Sequence, residues 1–297
     1  MKKIFVMAAM VLGVSAAYAG DSEPLKAITK SKTYAEAEAL LNSTLDQLAS
    51  PQEKAKAYNK LYELSIKDFE TVSAVIAENQ KAAVMKTDQK AYDTASYYNS
   101  AYNAVKAAVE CDKYDGQPDA KGKVKIAYRK DEVRLQKLMQ ARLELVNAGQ
   151  WIDGKNDESG LLKYWGLFLN SRNTSLFEKL PKEPFLGQVA FYAGAYAERA
   201  GQFEQADKYF DIAMQDPEWA EKAQNAKFEV AGKNLKTQAD TLRYIGQLKE
   251  LYTQKNSEVA FSVLCKLYSS SNMTKDLNAL VEDTLKKNPK NFLALAY

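Results

Sequence analysis

The stretch YAERAGQFEQADKYFDIAMQDP, residues 196 to 217, places Ala206, Phe210 and Ala213 at i, i+4 and i+7, on one face of a helix. The same offsets recur at Tyr244, Leu248 and Leu251, at Leu277, Val281 and Thr284, and at Ala37, Leu41 and Thr44. The leading positions 206, 244 and 277 lie 38 and 33 residues apart. Gly201 stands before the first trio and Asn272 before the third, each a residue that tolerates the left-handed turn between two helices. Pro217 and Pro289 follow the same two trios and stop the helix.

Upstream the pattern is helical but looser. Residues 52–85 and 88–112 read as two long amphipathic helices, the second rich in tyrosine at 92, 97, 98 and 102. Residues 126–148 predict a helix that reaches Gly149 and Trp151, again a glycine-x-aromatic turn, and GLLKYWGLFLNS resumes as a helix after the loop IDGKNDES. No strand-length alternation occurs.

These spacings resemble the tetratricopeptide repeat, whose period is about 34 residues. In 185–217, Gly194 matches the first-helix glycine, Gly201 and Phe203 the turn, Ala206, Phe210 and Ala213 the second helix, and Pro217 the terminator. In 258–289 the matches are Leu264, Tyr268, Leu277, Val281 and Pro289, with Cys265 where the small glycine usually sits. Both copies lack the first-position tryptophan, and Ala197 replaces the tyrosine of the first. The resemblance is specific over 185–289 and architectural over 30–184.

It implies an all-α fold, a right-handed α-solenoid of antiparallel helix hairpins forming a tetratricopeptide-like superhelix. The expected division is a signal segment over 1–19, a divergent hairpin region over 20–184 and repeats over 185–297, the last incomplete. In that family the first helices line a concave surface. Carried over, the positions are Gln188, Phe191, Ala195, Glu198 and Arg199, and in the second copy Val259, Ser262, Lys266, Ser269 and Ser270. The implied partner is a protein or peptide.

The first residues follow another logic. Lys2 and Lys3, an apolar run over 4–16 and Ala17-Tyr18-Ala19 have the form of a secretory signal with a small-x-small cleavage site. The expectation is an exported protein of the periplasm or the extracellular space, with no transmembrane segment in the mature chain. At the other end, KNFLALAY begins an apolar-faced helix and stops, so either it tucks against the last hairpin or the sequence is a piece of a longer array.

Composition narrows the chemistry. Of 297 residues, 41 are basic and 38 acidic; without Lys2 and Lys3 the balance is 39 against 38. That near-neutrality disfavours nucleic acid, which needs a basic footprint. The one basic stretch, KGKVKIAYRK over 121–130, follows acidic CDKYDGQPD and reads as a solvated loop running into a helix.

The chain contains no histidine, which removes the commonest general base and the usual zinc and haem ligands. Cys111 and Cys265, 154 positions apart, read as two buried thiols rather than a disulfide. Asp153, Asp157 and Ser159 suggest a calcium loop, but Lys155, Glu158 and the missing twelfth-position glutamate break the template. The loop is better read as a helix start capped by Asp157 or Ser159.

The expectation is therefore a non-catalytic interaction scaffold or adaptor of the bacterial cell envelope that binds peptides or partner helices on its concave face, with no cofactor and no metal. The 18 tyrosines leave an alternative, glycan binding on exposed rings. An enzyme on a helical scaffold ranks third, revived only by exposed tyrosines sharing a groove with a carboxylate pair.

Overall fold

The computed structural model describes residues 20–297 except Asn156 and Lys182. The secretory segment expected over 1–19 lies outside the described residues. Among those described there are 13 α-helices, packed mostly against their sequence neighbours, as in a helical repeat. The chain divides into two compact units, Met1–Leu138 and Met139–Tyr297, and the 185–297 stretch lies wholly in the second.

In the first unit, α1 (Glu23–Lys30) and α2 (Tyr34–Thr44) pack on α3 (Pro51–Met85), which pairs along part of its length with α4 (Thr94–Asp115). α3 starts where Ser50 caps it and proline occupies the first turn. Glu53 joins the capping, its carboxylate accepting from the backbone of Ala49 and from both the backbone and hydroxyl of Ser22. One buried side chain thereby ties the starts of α1 and α3 together.

The buried face of α3 ends at Phe69, which stacks on Tyr97 of α4 with ring centroids 5.1 Å apart. From Thr71 to Met85 no residue of α3 is buried. The connecting loop folds back along this overhang, where Asn79 exchanges two hydrogen bonds with the backbone of Lys90, at 2.7 and 2.8 Å.

Helix bounds differ from the sequence expectation in α4, which starts at Thr94 and not at residue 88, and at both ends of α5. α5 (Glu132–Asp153) starts six residues later than expected, because the acidic end of α4 holds the preceding segment in a loop. Asp115 accepts from the backbone of Ala127 and Tyr128, and Asp112 takes the Arg129 guanidinium at 2.6 and 3.1 Å. The basic stretch is thus a loop running into a helix, fastened at its C-terminal half.

At its other end α5 does not turn at Gly149 but runs through it and Trp151 to Asp153. Gly149 serves close packing instead: a Cβ there would stand 2.1 Å from Nε1 of Trp165 on α6 (Glu158–Ser171). Asp157 caps α6 by accepting from the Gly160 backbone, as expected.

The second unit continues as α7 (Leu186–Arg199), α8 (Phe203–Ala213), α9 (Ala220–Lys233), α10 (Gln238–Lys255), α11 (Glu258–Ser270), α12 (Thr274–Lys287) and α13 (Phe292–Leu295). α7 also touches α9, and α9 touches α11, so alternate helices neighbour one another.

The turns expected at Gly201 and Asn272 are left-handed, with φ of 72° and 56°. Both close the same way: Gln202 donates to the Ala197 carbonyl and Met273 to the Tyr268 carbonyl, each at 2.8 Å. Ala206, Phe210 and Ala213 are fully buried, and Phe210 packs where Gly194 leaves room. Burying such a phenylalanine contributes about 1.5–3 kcal/mol.

The terminal stretch tucks against the last hairpin. Ala294 of α13 is buried against Phe261 and Cys265, while Phe292 and Leu295 face outward. Among the described residues no helix is long and apolar enough to cross a membrane.

Candidate functional site

Within the second unit, α7 and the part of α5 beyond Leu138 present facing rows of side chains at helical spacing. On α5 these are Leu143, Val146, Asn147, Gln150 and Asp153; on α7 they are Phe185 at the cap, then Gln188, Val189, Tyr192 and Tyr196. In each row residues recur at intervals of three or four, with one adjacent pair on each helix, Val146–Asn147 and Gln188–Val189, so each row lies on one helix face. Trp165 of α6 closes the floor, and the groove encloses about 560 Å³.

The floor is fixed before anything enters. Trp165 is 6% exposed and donates its indole N–H to the Val146 carbonyl at 3.0 Å. Phe185 stacks on Phe168 with centroids 6.0 Å apart. The segment leading into α7 is anchored by Arg142, whose guanidinium pairs with Glu183 and donates to Ser171 Oγ and the Phe168 carbonyl, each at 3.0 Å. Arg172 adds a second contact to Glu183 at 3.5 Å and holds the Phe177 and Leu180 carbonyls. This network determines where α7 begins, and with it where Phe185 and Gln188 stand.

Leu143 and Tyr192 are 42% and 43% exposed, large apolar surfaces in contact with water on either helix. Polar character comes from the amides of Asn147, Gln150 and Gln188 and from one end of the groove. There the Tyr196 hydroxyl donates to Asp153 across the two helices, and that bond first, then burial, raises the phenol above its ordinary pKa. Arg199 stacks over the Tyr196 ring at 4.1 Å and pairs with Glu158 at 3.2 Å.

Of the residues carried over from the repeat pattern, Gln188 lines this groove. Arg199 stands just outside it, on Tyr196. Phe191 turns instead toward Trp219 and Phe210, with centroids 5.1 and 5.9 Å away. Glu198 reaches α9 through Lys233 at 2.7 Å, and Ala195 is half-buried.

In the second copy, Val259 packs against the Tyr244–Leu264 core and Ser262 is half-buried, while Lys266, Ser269 and Ser270 are exposed. None of these five lines the α5–α7 groove. The residues that make the groove, Leu143, Val146, Trp165, Tyr192 and Tyr196, were not singled out by the pattern. Tyr192 and Tyr196 carry a visible i, i+4 spacing, but which neighbour that stripe faces depends on the order in which helices pack.

Among the described residues three tyrosines are exposed. Tyr92 lies in the α3–α4 connection, Tyr192 on α7 and Tyr297 at the C-terminus. Cys111 and Cys265 are free and fully buried. Among the described residues no three Cys, Asp or Glu side chains come together as a metal-holding group.

The fold defines an all-helical protein of stacked, sequentially packed helices. No family model, curated protein or solved structure matches the chain.

Proposed function

We propose that this chain is an exported, non-catalytic scaffold, a tetratricopeptide-like superhelical array that binds a polypeptide segment of a partner protein along the α5–α7 groove. The observation that carries this reading is the groove's composition: an aliphatic and aromatic floor beside an amide rim, with Leu143 and Tyr192 exposed. Apolar side chains of a partner gain by leaving water there, and asparagine and glutamine can satisfy the polar groups they bring along.

The glycan alternative fits less well. Sugars need open ring faces and hydrogen-bonding partners, whereas Trp165 is buried with its N–H committed, and Val146, Val189 and Leu143 offer sugar hydroxyls nothing. Among the described lining residues Asp153 is the single carboxylate, where glycoside hydrolysis uses two.

The test is selection of a random 12-residue peptide library on the full chain, followed by titration of the selected peptides. The expected peptides carry two or more apolar anchors, and Leu143→Asp or Tyr192→Ala weakens them by about tenfold or more while circular dichroism stays unchanged. Peptide affinity indifferent to both substitutions, or sugar-array binding abolished by Tyr192→Ala, would refute the reading.

A further inference from the structure

We infer that the segment taken by this groove is an α-helix of about three turns, lying antiparallel to α5 and α7 with a basic residue in its first turn facing Asp153. This rests on the polypeptide-binding reading and adds conformation, direction and charge to it.

Conformation follows from what the walls lack. Both walls are helices, whose central backbone groups bond within their own elements, so there is no sheet edge for an extended strand to join. A polyproline segment would need a ladder of open ring faces, but Trp165 is 6% exposed and the Tyr196 hydroxyl is already engaged. A helix satisfies its own backbone and presents only side chains, which is what a floor of Val146, Val189 and Phe185 can accept. From Leu143 to Asp153 the α5 row rises about 15 Å, the length of roughly three helical turns.

Direction follows from charge. Asp153 is the one charged side chain among the described lining residues, and it sits at the C-terminal end of α5. Its hydrogen bond from Tyr196 brings the C-terminal part of α7 to the same end. Helix C-termini carry partial negative charge, so both walls add to the carboxylate there. The nearby cations are engaged: Arg199 pairs with Glu158, and Lys155 lies over the Trp151 ring at 3.4 Å. The complement of that end is the positive N-terminus of an incoming helix reinforced by lysine or arginine, which makes the incoming helix antiparallel to both walls. Tyr196 can keep its bond, because a carboxylate accepts from several donors at once.

The probe is a pair of 15-residue alanine-glutamine peptides, acetylated and amidated. One carries arginine at position 2 and leucine at 5, 8 and 12; the other is the same sequence reversed. The forward peptide is expected to bind the full chain about tenfold more tightly, to gain helical circular dichroism on binding, and to lose that preference on Asp153→Asn, an exposed site. Equal or tighter binding of the reversed peptide, or a preference that survives Asp153→Asn, overturns the inference. If neither peptide binds while library-selected peptides do, the helical occupant is wrong and the groove reading stands. If nothing binds, both fall.

Discussion

Arg142 carries a full charge at 1% exposure, held by Glu183, Ser171 Oγ and the Phe168 carbonyl between the rings of Phe168 and Phe177. Removing one partner of such a pair leaves an uncompensated buried charge and costs about 3–5 kcal/mol. Glu183→Gln should therefore lower unfolding stability in urea by about 3 kcal/mol, the lower end because Ser171 and Phe168 remain as acceptors. Adding Arg142→Met to that variant should recover part of the loss, whereas a further additive loss would mean the two residues act independently.

The two thiols supply a second test at this scale. Burial raises Cys111 to about 12 and Cys265 to about 11. Both values lie above the unfolded thiol value of about 8.5, so their contribution to stability is complete below that pH and fades as pH rises through the folded values. A thiol reagent at pH 8 should find no reactive cysteine in the native chain and two after denaturation, and stability should fall between about pH 9 and 12.

Among elements, the α7–α8 and α11–α12 turns show what one change of residue does. Gly201 and Asn272 occupy equivalent left-handed positions. Gly201→Val should destabilise by about 1–2 kcal/mol, since a branched side chain is strained at positive φ, and Asn272→Gly should leave stability unchanged or slightly higher. Thermal unfolding of the two variants would show the contrast, and equal effects would rule it out.

These turns were legible in the sequence because their causes are local: a left-handed residue, a stop and a period of 3.6 all fall within one hairpin. The end of α5 was not, because Gly149 looks like a turn until Trp165, sixteen positions on in another helix, is seen packed on it. The site was half legible for a related reason. The first helix of the repeat is where the groove lies, yet each such helix has two neighbours. Glu198 faces α9 through Lys233 while Tyr192 and Tyr196 face α5, a division set by how three helices pack and not by any one of them.

Across the molecule, contacts run chiefly between sequence neighbours, so each helix depends on the few beside it. Protection should then vary along the chain. α12 contributes one buried residue, Thr284, whereas α7 contributes seven, including Ala190, Ala193 and Ala197. Native-state hydrogen exchange should show α12 and α13 opening well before α7 and α8, and uniform protection would mean the second unit unfolds as a single block.

The overhang of α3 has a different consequence. Lys81, Lys86 and Lys90 are exposed on a stretch where no residue is buried, beyond the last packed ring pair of Phe69 and Tyr97. A tryptic cut at any of them would sever the chain without touching the α3–α4 interface, so α3 and α4 should stay paired within the nicked first unit. The same place can take a fluorescent reporter or an affinity tag by insertion, giving a handle on the protein remote in sequence from the α5–α7 groove.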